Sequence, residues 1–255
     1  MSPPAWKREL AKQVNDAIER HKQDEYVVVK FSGGKDSIAV LTLLLERGYD
    51  PEQLIVIYNY HFPGLRFIEA GLRYYEKKLG VTIVRIPHAT IVSMLNGGEY
   101  MHPHWDAYVA SLDYPRGKID DFTEAYLTDR FGEEHGLWKA VGTTATDSVT
   151  RLLAFKRHGA ERWSNRTFYP IADLSLPGIL DIIRRNGVKL PPDYLMWPRS
   201  FDGLYHRFLQ TIRVKHPDDY ERIKRFFPLI DAEFYRYELA EKHGMVAKKK
   251  GRAKK

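Results

Sequence analysis

The chain has 255 residues, of which 44% are hydrophobic and 13% aromatic, enough to bury one sizeable core and too apolar for a disordered chain. It contains no cysteine, which excludes disulfides, iron–sulfur clusters, thiolate zinc sites and a thiol nucleophile of its own. Its apolar stretches are far shorter than the roughly 20 residues that a bilayer requires, and its first residues contain no apolar signal region, so we expect a cytoplasmic protein with no membrane segment.

The formal net charge of +7 is concentrated at the C-terminus. The segment Lys248–Lys255 holds six basic residues and no acidic one, which leaves the rest of the chain near +1. The sequence therefore predicts no basic groove across the fold, and it predicts that the tail, residues 243–255, is disordered. The alternative that stays open is a tail that contacts nucleic acid.

The first third of the chain alternates between strand and helix patterns. The run at 26–30 is β-branched and almost wholly apolar, which is typical of a strand covered on both faces. The elements predicted after it are a helix at 38–47, a strand at 54–60, a helix at 65–79 and a strand at 81–86. This alternation predicts right-handed βαβ crossovers, and hence an α/β fold with an open parallel sheet flanked by helices.

The alternation of strand and helix patterns is no longer regular after residue 88. We expect residues 89–135 to form an insertion with short helices. The elements predicted beyond it are a strand at 137–142 and helices at 148–158, 175–187 and 217–227. Ser175 is expected to cap its helix, with Pro177 in the first turn. The predicted organisation is a nucleotide-binding α/β domain at 1–195, a helical C-terminal extension at 196–242 packed on it, and the basic tail.

The segment SGGKDS, residues 32–37, lies between the first predicted strand and the helix that follows it. This is the usual ligand crevice of an open parallel sheet. Gly33 and Gly34 let the backbone turn tightly and present several N–H groups, and the helix dipole adds partial positive charge at the same place. Asp36 stands where the GxxxxGK[ST] phosphate loop has Ser or Thr, so the segment is not that motif.

The side chains of the same segment also suit phosphate. Lys35 adds a full positive charge, and the hydroxyls of Ser32 and Ser37 are hydrogen-bond donors. The Asp36 carboxylate can accept hydrogen bonds from backbone amides or help to bind Mg²⁺. The sequence therefore predicts a phosphate site, with Lys35, Asp36 and Ser37 as the residues that carry the chemistry.

SGGKDS after a hydrophobic strand resembles the PP-loop of the ATP pyrophosphatase superfamily, whose members bind ATP or a related adenylate and cleave between the α and β phosphates. Two further segments resemble the phosphoadenylyl-sulfate (PAPS) reductase branch: VGTTATDSVTR at 141–151 and YPIADLSLPGILDIIRRNGVKLPPDY at 169–194. The resemblance implies an adenine nucleotide alpha hydrolase-like, HUP-type fold. It also implies ATP, or a PAPS- or APS-like adenylate, as the bound nucleotide, with Mg²⁺ as cofactor.

The resemblance implies nucleotide contacts from SGGKDS and from the segment at 141–151. In SGGKDS they are Ser32, Gly33, Gly34, Lys35 and Ser37. In the segment at 141–151 they are Gly142, Thr143, Thr144, Ser148 and Arg151. The chain departs from the branch at two positions. Thr144 stands where the branch has arginine, and Asp147 stands where the branch has glutamate. The reductases attack sulfur with a cysteine, which this chain lacks, so that reaction is not carried over.

Three functions follow from this pattern. The first is an enzyme that cleaves ATP between the α and β phosphates and adenylates an unidentified acceptor. The second is a cysteine-less sulfonucleotide-binding protein, or a reductase homologue that needs a partner. The third is a noncatalytic nucleotide-sensing or nucleic-acid-associated subunit, in which Lys248–Lys255 contacts the nucleic acid. The sequence leaves a homo-oligomer open in all three.

Two other groups of residues are candidate sites. A metal site can be drawn from His61, His88, His102 and His104, but His-x-His in a loop without a spaced carboxylate more often lies on the surface. A second group, rich in arginine, either lines a pocket or packs on aromatic rings; it consists of Arg199, His206, Arg207 and Arg213.

Overall fold

The computed structural model describes residues 4–112, 122–197 and 199–245. The strands are β1 (Val27–Lys30), β2 (Leu54–Tyr60), β3 (Ile83–Pro87), β4 (Trp138–Ala140), β5 (Glu161–Arg162) and β6 (Thr167–Phe168). They form one sheet in the order β3-β2-β1-β4-β6-β5. Strand β1 is parallel to β2 and to β4, β4 is parallel to β6, and β5 is antiparallel to β6. The predicted α/β fold with an open parallel sheet flanked by helices is confirmed, except that the edge strand β5 is antiparallel.

The helices of the first half of the chain are α1 (Ala5–His21), α2 (Lys35–Glu46), α3 (Arg66–Leu79), α4 (Ala89–Asn96), α5 (Trp105–Ser111) and α6 (Phe122–Phe131). Those of the second half are α7 (Val149–His158), α8 (Leu176–Arg185), α9 (Asp193–Met196), α10 (His206–Lys215), α11 (Pro217–Phe226) and α12 (Ala232–Lys242). Short 3-10 turns lie at Pro51–Gln53 and Trp163–Asn165. Among the described residues, no helix is long and apolar enough to cross a membrane.

The chain divides into two compact units. Unit 1 comprises the described residues of 1–60, 67–86 and 121–200, and it contains the sheet. Unit 2 comprises the described residues of 61–66, 87–120 and 201–255, and it contains α4, α5 and α10 to α12. The short helices expected in the insertion are present as α4, α5 and α6, whereas Lys248–Lys255 lies outside the described residues.

The centre of unit 1 is built on β1 and α2. Val27, Val28 and Val29 are fully buried, as expected for a strand with neighbours on both sides and helices on both faces. Helix α2 is buried along residues 37–44, because it packs on β1 and on α8. Both elements that flank the segment 32–34 are therefore held in the core, which fixes the two ends of this loop.

The sequence did not predict α1. The residues that α1 buries follow helical spacing: Leu10, Val14, Ala17, Ile18 and His21. The periodic pattern of an amphipathic helix was therefore present, but the many charged residues between these positions made it hard to recognise. The prediction for α8 was correct in part: Ser175 occupies the N-cap position and Pro177 lies in the first turn, but the Ser175 side chain makes no capping hydrogen bond. The prediction that the Ser175 side chain caps the helix is therefore wrong.

Candidate functional site

The candidate site lies at the carboxyl ends of β1 and β4 in unit 1. The chain leaves β1 towards β2 on one side, and β4 is added later on the other side, so the strand order reverses between β1 and β4. Such a reversal opens a crevice beyond the carboxyl ends of the two strands. The register pairs Val29 with both Val56 and Ala140, so the loops after β1 and β4 leave the sheet at the same level.

The loop after β1 is shaped by its two glycines. Gly33 has φ +71°, a left-handed conformation that glycine adopts without strain. Gly34 is the N-cap residue of α2 and has extended backbone angles. A Cβ atom at Gly34 would lie 3.3 Å from the Oγ atoms of Ser32 and Ser200, so the loop leaves little room for a larger residue. The predicted strand, glycine loop and helix are confirmed.

The two serine hydroxyls hold this loop together. Ser37 Oγ donates to the Gly34 carbonyl at 2.9 Å and accepts the Ser32 backbone N–H at 3.1 Å. Ser32 Oγ lies 3.2 Å from Ser37 Oγ and accepts the Gly34 N–H at 3.3 Å. Ser37 is buried, whereas Ser32 is exposed. The observed contacts of Ser37 thus stay within the loop, while Ser32 is open to a ligand.

Lys35 and Asp36 form an ion pair at the start of α2. Lys35 Nζ lies 2.9 Å from Oδ1 and 2.7 Å from Oδ2 of Asp36, and both side chains are about 30% exposed. The ammonium charge at the loop is therefore partly balanced by its own neighbour. A polyphosphate that binds Lys35 has to compete with the Asp36 carboxylate.

The loop after β4 approaches α2 very closely at Gly142. A Cβ atom on Gly142 would lie 2.9 Å from the carbonyl carbon of Asp36 and 3.0 Å from the backbone nitrogen of Ser37. These are backbone atoms in the first turn of α2, which cannot move aside without disturbing the helix. Glycine at this position therefore brings the two halves of the predicted site together.

The rest of the second segment is organised around Asp147. Its carboxylate accepts the Thr144 N–H at 3.1 Å and pairs with Arg151 at 2.5 Å. Burial raises the pKa of Asp147, but the hydrogen bonds from Thr144 and the Arg151 guanidinium outweigh it, so the pKa lies below its ordinary value. Ser148 Oγ caps α7 by accepting the Arg151 N–H at 3.2 Å. Arg151 and Ser148 thus have local structural partners.

Within this segment the two threonines differ in exposure. Thr144 is 1% exposed, and its hydroxyl lies 2.9 Å from that of Thr146. Thr143 is intermediate in exposure, and its backbone N–H donates to the Val141 carbonyl at 3.0 Å. Thr144, which stands where the resembled branch has arginine, therefore supplies a buried hydroxyl rather than a cation.

Tyr194 is a site residue that the sequence analysis missed. Its hydroxyl accepts the backbone N–H of Lys35 at 3.0 Å, and a Cβ atom on Gly34 would lie 3.6 Å from it. Tyr194 lies in the short helix α9, 159 residues further along the chain than Lys35. The only sequence signal was its place at the end of the third resembling segment, which assigned it no role.

Asp36 supplies a carboxylate in the first turn of α2, next to the glycine loop. Among the described residues, no group of three or more His, Asp or Glu side chains is placed to hold a metal ion. Mg²⁺ keeps several waters and is commonly bound through one or two carboxylates and substrate phosphates. Asp36, at the mouth of the loop, fits that mode and does not fit a dedicated protein cage. His102 and His104 are exposed, in line with the surface interpretation.

Three members of the arginine-rich group, His206, Arg207 and Arg213, pack on aromatic rings inside unit 2. The Arg207 guanidinium lies 4.7 Å from the centroid of Phe208, and that of Arg213 lies 5.3 Å from Phe234. His206 stacks on Tyr237 at 3.7 Å with nearly parallel rings. These contacts favour the packing alternative for the three residues in unit 2.

Comparisons with known proteins add little to this geometry. No family model and no curated protein matches the sequence. Similar solved structures include an NH3-dependent NAD synthetase from Campylobacter jejuni in complex with the nitrate ion, with 14% identity over 91% of this chain and 95% of that chain and a TM-score of 0.41. An NAD+ synthetase from Burkholderia pseudomallei shares 14% identity over 89% of this chain and 93% of that chain, with a TM-score of 0.40.

A third similar structure is the U34-tRNA thiolase NcsA from Methanococcus maripaludis with its [4Fe-4S] cluster. It shares 15% identity over 91% of this chain and 80% of that chain, with a TM-score of 0.45. With TM-scores below 0.5, these three likenesses carry no argument about function. The fold assignment rests on the strand order and the parallel pairing of β1 with β2 and β4.

Proposed function

We propose that the chain is a PP-loop enzyme that binds ATP, cleaves it between the α and β phosphates and adenylates an acceptor substrate. One observation carries the proposal: the segment SGGKDS joins the carboxyl end of β1 directly to the N-terminus of α2, with Gly142 packed against it. A left-handed Gly33, a helix N-terminus and a lysine at one point form an anion site. This anion site suits the phosphate chain of a nucleotide, and the resemblance of SGGKDS to the PP-loop makes an adenine nucleotide the proposed partner.

Binding would begin with exchange of partners at Lys35. The Lys35 ammonium group gives up one of its two contacts with the Asp36 carboxylate and pairs with phosphate oxygens. The backbone N–H groups around Gly33 and Gly34 donate hydrogen bonds to the same phosphates. Mg²⁺, held by Asp36 together with the phosphates, would neutralise further charge on them. Ser32, which is exposed, is placed to donate its hydroxyl to the same phosphates.

The chemical step is an attack by an acceptor oxygen on the α phosphorus. The new oxygen–phosphorus bond forms as the bond from the α phosphorus to the bridging oxygen breaks, and pyrophosphate leaves with that electron pair. Negative charge grows on the leaving group, where Lys35 and the amino end of α2 stabilise it. Catalysis of this kind depends on positioning and on prearranged charge rather than on a covalent intermediate.

Thr144 sets the chain apart from the PAPS reductase branch. The resembled branch has arginine at this position, whereas the Thr144 side chain is 1% exposed and bonds to Thr146. This position therefore lacks the cation that the resembled branch has there. The second candidate function is that of a PAPS reductase homologue that works with a cysteine-bearing partner. Sulfite release from PAPS that requires both this chain and a cysteine-bearing partner, with a thiol reductant as the electron donor, would favour this second candidate.

The test is ATP binding by calorimetry beside pyrophosphate release, on the wild type, Lys35→Ala and Gly34→Val. Loss of a prearranged cation costs roughly 3 to 4 kcal/mol in a transition state, so Lys35→Ala should lower turnover by roughly a hundredfold or more. Lys77→Ala, which removes an exposed lysine from α3, is the matched control. Unchanged binding and turnover in both loop variants, with unchanged melting temperatures, would refute the proposal.

A further inference from the structure

Three hydroxyl groups meet above Gly34, the N-cap residue of α2 in unit 1. A Cβ atom placed on Gly34 would lie 3.3 Å from Oγ of Ser32, 3.3 Å from Oγ of Ser200 and 3.6 Å from the Tyr194 hydroxyl. Ser32 belongs to the glycine loop, whereas Tyr194 and Ser200 come from a part of unit 1 that lies beyond α8 in the chain. The side of the loop that faces away from the Gly34 backbone is therefore covered by this second stretch, residues 193–200, which we call the covering segment.

Buried residues fix the covering segment to the rest of unit 1. Asp193 and Trp197 are both buried, and the Trp197 backbone N–H donates to the Asp193 carbonyl at 2.7 Å. The centroid of the Trp197 ring lies 5.9 Å from that of Phe67, another buried residue of unit 1. Ser200 follows Trp197 by three positions. These contacts therefore hold the Ser200 hydroxyl beside the glycine loop before any ligand arrives.

The three hydroxyls differ in the hydrogen bonds that they already make. The Tyr194 hydroxyl accepts the Lys35 N–H at 3.0 Å, and Ser32 Oγ accepts the Gly34 N–H at 3.3 Å. The Ser200 hydroxyl makes no hydrogen bond to the described part of the chain, and the residue is intermediate in exposure. Of the three groups, Ser200 is thus the one that can donate to a ligand at the loop without giving up a protein partner.

The charge balance of the loop gives a neutral donor a role here. Lys35 Nζ lies 2.7 Å from the Asp36 carboxylate, so these two neighbouring side chains together add no net charge. A polyphosphate at the loop must therefore gain part of its binding from N–H and O–H groups that donate to its oxygens. A hydroxyl makes a stronger hydrogen bond to a charged oxygen than to a neutral one. Ser200 supplies such a donor.

The place of Ser200 also indicates which part of a nucleotide it meets. Its Oγ atom lies beside Gly34, where the unpaired N–H groups of the first turn of α2 attract phosphate. In the proposed reaction this end of α2 stabilises the leaving pyrophosphate. A donor beside Gly34 is therefore expected to meet the pyrophosphate portion of ATP rather than the adenosine.

We infer that Ser200 is a further phosphate-binding residue of this site, whose hydroxyl donates to the pyrophosphate portion of ATP. The inference rests on the proposed function and adds to it a residue from outside both segments that the sequence analysis assigned to the nucleotide. The covering segment then forms the outer wall of the phosphate site. As the phosphates enter, Tyr194 gives up its hydrogen bond to Lys35, and Ser200 gains one.

The test measures the affinities of ATP, inorganic pyrophosphate and AMP by calorimetry on the wild type and on variants of Ser200. Ser200→Ala should weaken ATP and pyrophosphate about tenfold, the effect of one hydrogen bond to a charged group. AMP, which lacks the β and γ phosphates, should keep its affinity. Ser200→Cys, which keeps the volume but replaces the hydroxyl with a weak donor, should resemble Ser200→Ala. Ser164→Ala, at an exposed serine of unit 1, should match the wild type.

Melting temperatures show whether each variant is folded, and either Ser200 variant decides the matter if the other does not fold. Equal affinities of the wild type and a folded Ser200 variant for ATP and pyrophosphate overturn the inference and leave the proposed function standing. An equal loss of AMP affinity also overturns it, because the change then acts on the site as a whole. A wild type that binds neither ATP nor pyrophosphate overturns the proposed function together with the inference.

Discussion

The Tyr194 hydroxyl accepts the backbone N–H of Lys35, the first residue of α2, at 3.0 Å. This N–H belongs to the helix end that attracts anions, so the tyrosine oxygen occupies a place that suits a phosphate oxygen. Tyr194 can act as an internal substitute for the ligand, in the way that a capping side chain satisfies a helix end.

We therefore expect Tyr194→Phe to have opposite effects on stability and on ligand binding. Loss of the hydrogen bond should lower the free energy of unfolding of the free protein by about 1 kcal/mol. ATP should bind a few-fold more tightly, because the Lys35 N–H no longer has to exchange partners. Chemical denaturation and calorimetry measure the two quantities. A weaker ATP affinity in Tyr194→Phe would show instead that the hydroxyl contacts the nucleotide.

Gly142→Ala tests the contact between the loop after β4 and the first turn of α2. The new methyl group would lie within about 3 Å of the backbone of Asp36 and Ser37, so the loop or the helix must shift. Overpacking of this kind typically costs about 1 to 3 kcal/mol of stability. ATP affinity should fall as well, because the two halves of the site move apart.

Gly178→Ala in α8 is the matched control, since a Cβ atom there would meet only ordinary contacts with Leu174 at 3.5 Å or more. This change replaces glycine inside a helix, so its stability should stay equal or rise. Equal melting temperatures for Gly142→Ala and the wild type would contradict the close packing.

These two contacts also mark what the sequence could not predict. The strand at 27–30, the glycine loop and α2 follow one another along the chain, so hydrophobic periodicity and two glycines were enough to place them. The Tyr194 and Gly142 contacts join residues more than 100 positions apart, and no local pattern encodes such a pairing.

The titration of His61 provides a prediction for unit 2. Its pKa of about 4 in the fold lies below the ordinary 6.5, because of burial and then the nearby His88, with Asp202 acting against them. Protons therefore bind the unfolded chain more readily, so His61 lowers stability progressively as the pH falls from about 6.5 to about 4 and has no such effect above that range. His61→Phe should lose stability less steeply over this window than the wild type does.

Two measurements check this prediction. NMR titration of the imidazole signals gives the midpoint of His61 directly, and urea unfolding at several pH values gives the slope of stability for both proteins. His102→Phe serves as the control, because this histidine is exposed. A His61 midpoint near 6.5 would contradict the burial of its ring.

The last prediction concerns Asp36, which is both the partner of Lys35 and the carboxylate that suits Mg²⁺. In Asp36→Asn the ammonium of Lys35 loses its balancing charge, so ATP without a divalent cation should bind more tightly than it does to the wild type. With Mg²⁺ present the order should reverse for turnover, because the amide is a poor ligand for the ion. Asp16→Asn, at an exposed position of α1, should resemble the wild type in both conditions. Calorimetry with EDTA or Mg²⁺, beside pyrophosphate release, measures this reversal. If Asp36→Asn and the wild type respond equally to Mg²⁺, Asp36 serves only to hold Lys35, and the ion must be bound by the phosphates and other groups.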